Sequence, residues 1–263
     1  IVTTLHGTDI TLVGSHPFYK PAVTFSINKS DAVTSVSESL KRDTLRLFDI
    51  KNEIEVVPNF IDIEKHEPNF TDCQRSAMAN ENERIITHIS NFREVKNIPD
   101  VIKIFNGIQK EVPSKLMLVG EGPEKEAAEY LVEELGISEK VVFFGNSNEI
   151  DRILCFSDLF LLPSQTESFG LAALEAMASS VPVISSNSGG LSEVNKDGFS
   201  GYLSTVGNVS EMTEKALQIL KNDDSLNQFK LNAKAQSHNF DIHAIVPKYE
   251  SIYQKTLSKC LVK

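Results

Sequence analysis

The chain has 263 residues, of which 41% are hydrophobic and 24% charged, and these values are ordinary for a globular protein with a sizeable core. Its formal net charge of −10 disfavours nucleic acid or an anionic membrane surface as the main partner. Cys73, Cys155 and Cys260 are scattered without metal-ligand spacing, so we expect a reduced, cytoplasmic protein in which Cys155 is a small core residue. No apolar run approaches the roughly 20 residues of a membrane span.

The first 57 residues predict three strands with helices between them. IVTTL runs into HGTD, a helix, strand and helix follow in SINKSDAVTSVSESLKRDTLRLF, and EIEVVPN predicts a last strand before a linker. Three strands do not make a stable α/β sheet that is covered on both faces. We therefore expect an incomplete domain that exposes apolar surface and associates, so that a homo-oligomer is one possible state.

Residues 58–238 alternate apolar strands with amphipathic helices. Apolar residues at three- and four-residue spacing predict helices in PDVIKIFNGIQKEV, PEKEAAEYLVEELG and NEIDRILCFS. The predicted strands are ERIITHIS (83–90), KLMLVG (115–120), KVVFFG (140–145), DLFLLP (158–163) and VPVISS (181–186). This order predicts a Rossmann-like, doubly wound parallel sheet covered on both faces. FDIHAIVPKYESIYQKTLSK predicts an amphipathic helix after it.

The segment PSQTESFGLAALEAMASSVPV, residues 163–183, joins a strand end to a helix with almost no polar face. Ligands of open parallel sheets bind beyond the carboxyl ends of the strands. A helix that begins there presents free backbone N–H groups and the positive end of its dipole. We expect the helix to begin near Ser168 or Phe169 and the N–H groups of Ser168, Phe169, Gly170 and Leu171 to bind a phosphate.

One glutamate precedes this helix and another lies within it. Glu175 lies among Ala, Leu and Met, so its carboxylate needs a partner. Ser168 and Glu175 are about two turns apart, roughly 10 Å along one face, which is the reach from a diphosphate to the ribose of the same nucleotide. Glu175 could accept hydrogen bonds from the ribose, and Glu167 could point the other way, toward a sugar. The alternative is a structural role, which for Glu167 is a favourable position near the helix dipole.

Other predicted strand ends lie at the same edge of the sheet. Arg93 and Lys96 could neutralise a diphosphate there, or they could form a solvated charge pair beside Glu94. Gly145 and Asn146 end another strand, where backbone groups could read a uracil base. Since no cluster in the sequence has metal-ligand spacing, we expect neither a metal nor another cofactor.

The two glutamates of E-SFGLAAL-E, with seven residues between them, resemble the signature of retaining glycosyltransferase family 4, which has the two-domain GT-B fold. HGTDI, SNFREVKNIPD, LVGEGPE and VVFFGN resemble the same family in order, so the resemblance covers essentially the whole chain. TTLHGTDIT and ISNFREVKNI are similar in particular to members that transfer N-acetylglucosamine from UDP to L-malate in bacillithiol biosynthesis. The resemblance implies a hexosyltransferase with a UDP-sugar donor and a small hydroxy-acid acceptor.

The resemblance also implies a domain organisation. Residues 1–57 correspond to the end of the N-terminal acceptor domain, residues 58–238 to the nucleotide-sugar-binding domain, and residues 239–263 to the crossover C-terminal helix. Members of the family have a longer N-terminal domain, so we expect a missing N-terminal part and a chain that is inactive alone.

Several residues receive roles from the resemblance. His6 is similar to a family histidine that lies close to the donor sugar, although a histidine at a strand end can be purely structural. Arg93, Lys96 and the helix N–H groups are expected to stabilise the leaving diphosphate without a metal. The commoner family pattern places an arginine where this chain has Asn91, so the role of Arg93 is less closely supported than that of Lys96.

Three other functions remain open at this point. One is a nucleotide-sugar-binding module without turnover, and another is a family 4 transferase with a different acceptor. The third is a phosphorylase of the same fold, but that enzyme needs a lysine-bound pyridoxal phosphate, and nothing in the sequence marks such a lysine.

Overall fold

The computed structural model describes residues 1–11, 13–14, 16–66 and 75–261 of the chain. The described strands form two parallel sheets, one of three strands and one of six. This architecture confirms the predicted α/β fold, in which a complete doubly wound sheet is joined to a smaller set of strands. Among the described residues, no helix is both long and apolar enough to cross a membrane.

The three-stranded sheet forms the first unit of the chain, with strand order β1-β2-β3. Its elements are β1 (Val2–Leu5), α1 (Thr8–Thr11), α2 (Lys20–Lys29), β2 (Ala32–Ser35), α3 (Glu38–Leu47) and β3 (Ile54–Val56). Helix α3 begins where Ser37, in an extended conformation, accepts a hydrogen bond from the Leu40 N–H through its hydroxyl. Phe18 and Phe25 are 80% and 63% exposed on this unit. The association that we expect from such surface stays a prediction.

The six-stranded sheet forms the second unit. Its elements are α4 (Arg75–Met78), β4 (Arg84–Ile89), α5 (Ile98–Ile108), β5 (Ser114–Val119), α6 (Lys125–Glu134), β6 (Val141–Gly145), α7 (Ile150–Cys155), β7 (Leu159–Leu162), α8 (Leu171–Ala178), β8 (Val183–Ser186), α9 (Leu191–Val194), β9 (Gly201–Ser204), α10 (Val209–Leu220) and α11 (Asp223–Ser237). All four residues of β7 are buried, as are all four of β8. Strands that are buried along their whole length need helices on both faces of the sheet.

The strand order β6-β5-β4-β7-β8-β9 reverses direction between β4 and β7. Strands β4 and β5 pair at six positions, from Arg84 to Ile89, whereas β4 and β7 pair only at Ile86 and Thr87. Beyond Thr87 the two central strands therefore diverge toward their carboxyl ends. This is the topological switch point at which ligands of open α/β sheets bind.

The last helix, α12 (Ile242–Leu261), packs on the first unit. Ile245 and Ile252 are buried in a cluster with Val57, and the Tyr249 hydroxyl donates to the Val57 carbonyl oxygen over 3.3 Å. Pro247 lies inside the helix. The helix thus ties the end of the chain to the segment that leaves β3.

At the amino end of β7, Asp158 is 3% exposed, and its carboxylate has three hydrogen-bond partners among the described residues. Its carboxylate accepts from Arg75 at 2.7 Å, from Lys230 at 2.9 Å and from the Ile85 N–H at 3.0 Å. Arg75 also donates to the carbonyl oxygens of Phe156 and Glu83. This network fixes helices α4 and α11 to the base of the sheet, away from the switch point.

Cys155 differs from the sequence prediction, because it is disulfide-bonded. The expectation of a reduced thiol at this position is therefore wrong. The position in the last turn of α7 is half-buried, and scattered cysteines in a sequence do not show which of them the fold brings within bonding distance. Cys73 lies outside the described residues.

Candidate functional site

Two loops meet at the switch point, one after β4 and one after β7. The Gln165 N–H donates to the Val95 carbonyl oxygen over 2.8 Å and joins their backbones. Lys96 Nζ lies 2.6 Å from Glu167 Oε1, and the Ser164 hydroxyl donates to the same carboxylate oxygen at 3.0 Å. The side chains of Lys96 and Glu167 are only 21% and 13% exposed. The fold thus brings together a predicted cation and a predicted sugar-binding carboxylate that are 71 residues apart.

The loop after β4 is anchored by Phe92. Its side chain is fully buried although its φ angle is 29°, in a region that non-glycine residues rarely adopt. The Glu124 N–H donates to the Phe92 carbonyl oxygen over 2.9 Å. Burial of the ring offsets the strained backbone and fixes the direction in which Arg93 and Lys96 leave the sheet.

His88, on β4, is a residue of this site that the sequence did not reveal. Its Nδ1 lies 2.8 Å from the Leu161 carbonyl oxygen, where the β4–β7 ladder has ended, and its Nε2 lies 2.8 Å from the Ser90 hydroxyl. Burial lowers the pKa of His88 to about 4, and the nearby Lys96 charge adds to that effect. The ring is therefore neutral, donates from Nδ1 to Leu161 and accepts at Nε2 from Ser90. A side chain thus holds the two central strands together where the backbone no longer does.

Helix α8 begins at Leu171, three residues later than the earliest start that the sequence indicates. Gly170 at the N-cap has φ 101° and ψ 53°, a left-handed conformation that glycine adopts without strain. An added Cβ there would lie 2.6 Å from a Leu191 methyl group. The backbone N–H groups of residues 168–171 donate no hydrogen bond to the part of the chain that the structure describes. They remain available to a ligand, and their binding of a phosphate stays a prediction.

A cavity of about 270 Å³ lies directly in front of these N–H groups. Its lining contains Ser168, Phe169, Gly170, Leu171 and Ala172 of the helix start, with His6, Asn59, Lys96, Leu162 and Glu167 around them. The structure therefore places His6 and Lys96 against the positive end of the helix. Such a setting suits a negatively charged group.

A second cavity, of about 330 Å³, also borders the Lys96–Glu167 pair. It is lined by Gly7, Thr8, Thr11, Ser39, Leu40 and Asp43 from the first unit and by Asn91, Arg93, Val95, Lys96, Thr166, Glu167, Ser168 and Gly189 from the second. Arg93 is exposed and forms no ion pair with the described residues. Since both cavities share Lys96, Glu167 and Ser168, one extended ligand can occupy the two of them.

Three glycines let separate backbone segments close around the loop after β7. An added Cβ at Gly7 would lie 2.6 Å from the Ser168 side chain, and at Gly189 it would lie 1.9 Å from the Glu167 carbonyl oxygen. At Gly190 it would lie 2.4 Å from the Ser168 carbonyl oxygen. Any larger residue would displace the loop that carries Glu167 and Ser168.

Glu175 lies one turn beyond Leu171 on α8 and does not line either cavity. Its side chain is half-buried and forms no hydrogen bond with the described residues. Burial raises the pKa of Glu175, the nearby His66 lowers it in part, and the Asp151 carboxylate raises it further. His66 Nδ1 lies 2.6 Å from Asp151 Oδ1, although the angle at this contact is not that of a hydrogen bond. Among the described residues, nothing donates a hydrogen bond to the Glu175 carboxylate, and its role in binding a ribose stays a prediction.

Gly145 ends β6, an edge strand of the sheet, and Asn146 follows it. The Gly145 carbonyl oxygen accepts from the Gly120 N–H over 2.8 Å, and Asn146 is exposed. Neither residue lines the two cavities. Their assignment to a base stays a prediction.

Two contacts across the units were also not visible in the sequence. The Ser37 hydroxyl donates to the Ser168 carbonyl oxygen over 2.6 Å. The N–H groups of Glu38 and Ser39 donate to the two carboxylate oxygens of Glu193, each over 2.8 Å. The start of α3 is therefore fixed to the loops that follow β7 and β8.

Comparison with known families decides what kind of protein has this site. Residues 70–236 match the model of "Glycosyl transferases group 1", and residues 1–65 match that of "Glycosyltransferase Family 4". The chain belongs to the group 1 glycosyltransferases. This confirms the family that the sequence resembles, and proteins of this family are enzymes.

Named relatives of this glycosyltransferase include the N-acetyl-alpha-D-glucosaminyl L-malate synthase of Bacillus anthracis, which is 42% identical over 98% of this chain and 68% of its own length. The poly(ribitol-phosphate) alpha-N-acetylglucosaminyltransferase of Staphylococcus aureus is 29% identical over 88% of this chain and 44% of its own. This glycosyltransferase chain thus spans about half to two thirds of these relatives.

Solved structures share the fold of this glycosyltransferase. HepE of Anabaena, crystallised with UDP and glucose, has a TM-score of 0.86 at 21% identity and matches 96% of this chain and 71% of its own. TarM of S. aureus has a TM-score of 0.81 at 24% identity and matches 96% of this chain and 50% of its own. At these identities the likeness supports the GT-B fold and leaves the substrates to other arguments.

Proposed function

We propose that this glycosyltransferase moves a sugar from a UDP-sugar to an acceptor hydroxyl and retains the anomeric configuration. The observation that carries the proposal is the cavity in which Lys96, His6 and the N–H groups of residues 168–171 face one space. A diphosphate supplies the negative charge that this arrangement of a cation and a helix start stabilises.

Lys96 and Glu167 bind different parts of the donor. The diphosphate lies against the helix start and Lys96, and the ribose extends along α8 toward Glu175, whose carboxylate has no hydrogen-bond donor among the described residues. The sugar lies toward Glu167. Its hydroxyl groups donate to the carboxylate, which Lys96 and Ser164 already hold in position.

The chemical step needs stabilisation of a leaving group. As the bond between the anomeric carbon and the diphosphate oxygen breaks, negative charge grows on the diphosphate, and Lys96, Arg93 and the N–H groups stabilise it. The acceptor oxygen forms the new bond on the same face of the sugar, and its proton passes to the diphosphate oxygen that leaves. His6 orients the sugar and forms no covalent bond.

We further propose N-acetylglucosamine as the sugar and L-malate as the acceptor. The support is the printed activity of the relative that is 42% identical over nearly the whole chain. A second relative also carries an N-acetylglucosaminyltransferase name, but it acts on a poly(ribitol-phosphate). The donor sugar is therefore supported by two relatives and the acceptor by one.

The test incubates the natural full-length protein with UDP-N-acetylglucosamine or UDP-glucose and a panel of hydroxy acids that includes both enantiomers of malate. Mass spectrometry identifies the product, and the coupling constant of its anomeric proton gives the configuration. We expect one α-linked N-acetylglucosaminyl malate. UDP binding without any product would instead indicate a nucleotide-sugar-binding module, and product with another acid would identify a different acceptor.

A pair of lysine variants tests the site in the same assay. Lys96→Met keeps the length of the side chain but removes the charge, and we expect turnover to fall by about 10²–10³. Lys103→Met removes a lysine of α5 that is 52% exposed, and it serves as the matched control. Equal effects of the two substitutions would contradict the role of Lys96.

A further inference from the structure

Helix α3 begins at the boundary between the two units, and its first N–H groups need acceptors because no helical carbonyl precedes them. Ser37 supplies one acceptor within the first unit, for the Leu40 N–H. Glu193 of the second unit supplies two more, because its carboxylate oxygens each accept one N–H, from Glu38 and from Ser39, over 2.8 Å. A carboxylate at this end of a helix is favoured by charge as well as by hydrogen bonding.

The same helix start also contacts the loop that presents N–H groups to the first cavity. Ser37 Oγ donates to the Ser168 carbonyl oxygen over 2.6 Å while it caps α3. The Phe169 N–H, one of the open N–H groups, belongs to the same peptide group as this carbonyl. The orientation of that peptide is therefore set from the first unit.

Glu193 is itself coupled to the donor loop through its own backbone. Glu193 lies on α9, a helix that begins directly after Gly189 and Gly190. The Gly190 N–H donates to the Glu167 carbonyl oxygen over 2.8 Å. The backbone of these glycines packs against Glu167 and Ser168 with no room for a Cβ. A displacement of α9 would thus move the peptides on either side of Glu167.

We propose that Glu193 is a positioning residue that holds the cleft between the two units closed during transfer. This proposal rests on the proposed function, since it assigns Glu193 to the same donor site. When the carboxylate accepts from the start of α3, Ser37 stays on the Ser168 carbonyl oxygen. The cavity that is lined from both sides then keeps its shape around the donor and the acceptor.

The role of Glu193 separates turnover from donor binding. Lys96, Glu167, Glu175 and the N–H groups of residues 168–171 all belong to the second unit, so they are still present to bind UDP when Glu193 no longer accepts from α3. UDP affinity should therefore change little. Transfer needs the donor and acceptor held at reacting distance, so turnover should fall.

The test compares Glu193→Gln and Glu193→Ala with Glu133→Gln, which changes an exposed glutamate on α6 of the second unit. Hydrogen exchange of the Glu38 and Ser39 amides measures the contact directly in the full chain. Calorimetry gives the dissociation constant of UDP, and turnover of the UDP-sugar with the acceptor gives kcat and KM separately.

For both Glu193 variants we expect amide exchange at Glu38 and Ser39 to rise by at least about tenfold, since each loses a charged acceptor. We expect kcat to fall by about tenfold or more while the dissociation constant of UDP stays within about twofold. Glu133→Gln should resemble the unmodified protein in every measurement.

Three results would overturn the proposal: unchanged exchange at Glu38 and Ser39, faster exchange with unchanged kcat, or a loss of UDP affinity as large as the loss of kcat. Failure of the proposed function gives a different result. In that case no UDP-sugar yields a product with any variant, while hydrogen exchange still reports whether Glu193 holds α3.

Discussion

Lys96 Nζ and Glu167 Oε1 form a 2.6 Å ion pair at the point where β4 and β7 diverge, and both residues line each of the two cavities. Without a ligand, each charge therefore neutralises the other in a partly buried place. A bound diphosphate competes for Lys96, and sugar hydroxyls compete for Glu167. One nucleotide sugar can thus bind Lys96 through its diphosphate and Glu167 through its sugar.

This arrangement predicts opposite behaviour of the two glutamates of the signature. Glu175→Gln should weaken UDP by about 1.5–3 kcal/mol, because a charged acceptor of the ribose is lost. Glu167→Gln should leave UDP affinity equal or slightly higher, since Lys96 loses its competing partner, but it should reduce the discrimination among UDP-sugars. Calorimetry with UDP and with two UDP-sugars measures both effects, and equal losses of UDP affinity would contradict the assignment.

A second prediction concerns chelators. Turnover by the full-length protein should survive EDTA, because Lys96, Arg93 and the N–H groups of residues 168–171 are placed to take the charge that a metal would otherwise neutralise. The assay compares turnover before and after exhaustive chelation. Activity that disappears in EDTA and returns with magnesium or manganese would show that the diphosphate is bound in another way.

A third prediction follows from the buried His88. Its pKa is about 4 in the folded chain and 6.5 in the ordinary case, so the unfolded chain binds more protons between these values. Stability from the neutral ring is fully present above pH 6.5 and is lost as the pH falls toward 4. The loss should be on the order of 3 kcal/mol.

Denaturant unfolding at a series of pH values measures this loss. His88→Gln keeps a group that can donate to Leu161 but does not titrate, so its free energy of unfolding should fall less steeply between pH 6.5 and 4. An identical slope in the two proteins would assign the pH dependence to other groups.

A fourth prediction concerns Asp158, which should contribute to stability but not to UDP binding. Burial alone would raise its pKa, but Lys230 and Arg75 outweigh burial, so that the pKa of Asp158 is lowered. Its contribution to stability is therefore present above the ordinary value of 3.8 and is lost as the pH falls through the folded pKa, below the range of His88.

Asp158→Asn should reduce the free energy of unfolding by about 3 kcal/mol at neutral pH, because two cations lose a buried partner. Asp224→Asn, an exposed aspartate in the first turn of α11, is the control. UDP affinity should stay unchanged in both variants, since the network lies at the opposite end of β7. A selective loss of UDP binding in Asp158→Asn would show that the base of the sheet and the site are coupled.

Much of this fold could be predicted because its signals are local. Each predicted strand of the six-stranded sheet agrees with an observed strand within two residues at either end, since buried parallel strands are continuous apolar runs. Strand β9 (Gly201–Ser204) was not predicted, because its four residues GYLS carry no such run. The start of α8 was placed too early because the left-handed conformation of Gly170 follows from its packing on Leu191.

The candidate site was predictable only in part, for a related reason. Lys96, Glu167 and Ser168 follow strand ends, and parallel strands bring their carboxyl ends to one edge. His88, Ser37 and Glu193 act through partners that are 73, 131 and about 155 residues away. Nothing near them in the sequence indicates those partners, and only the packing of the two units brings them together.

Gly190 has an ordinary helical backbone, with φ −76° and ψ −6°, so an alanine would be acceptable to the chain itself. What opposes it is the Ser168 carbonyl oxygen, 2.4 Å from the position of the added methyl group. The Gly190→Ala substitution should therefore tilt one peptide of the donor loop by steric contact alone, without adding or removing any charge. Side chains of increasing size at this position, from alanine to serine, offer a way to adjust the geometry of the loop while its charge stays the same.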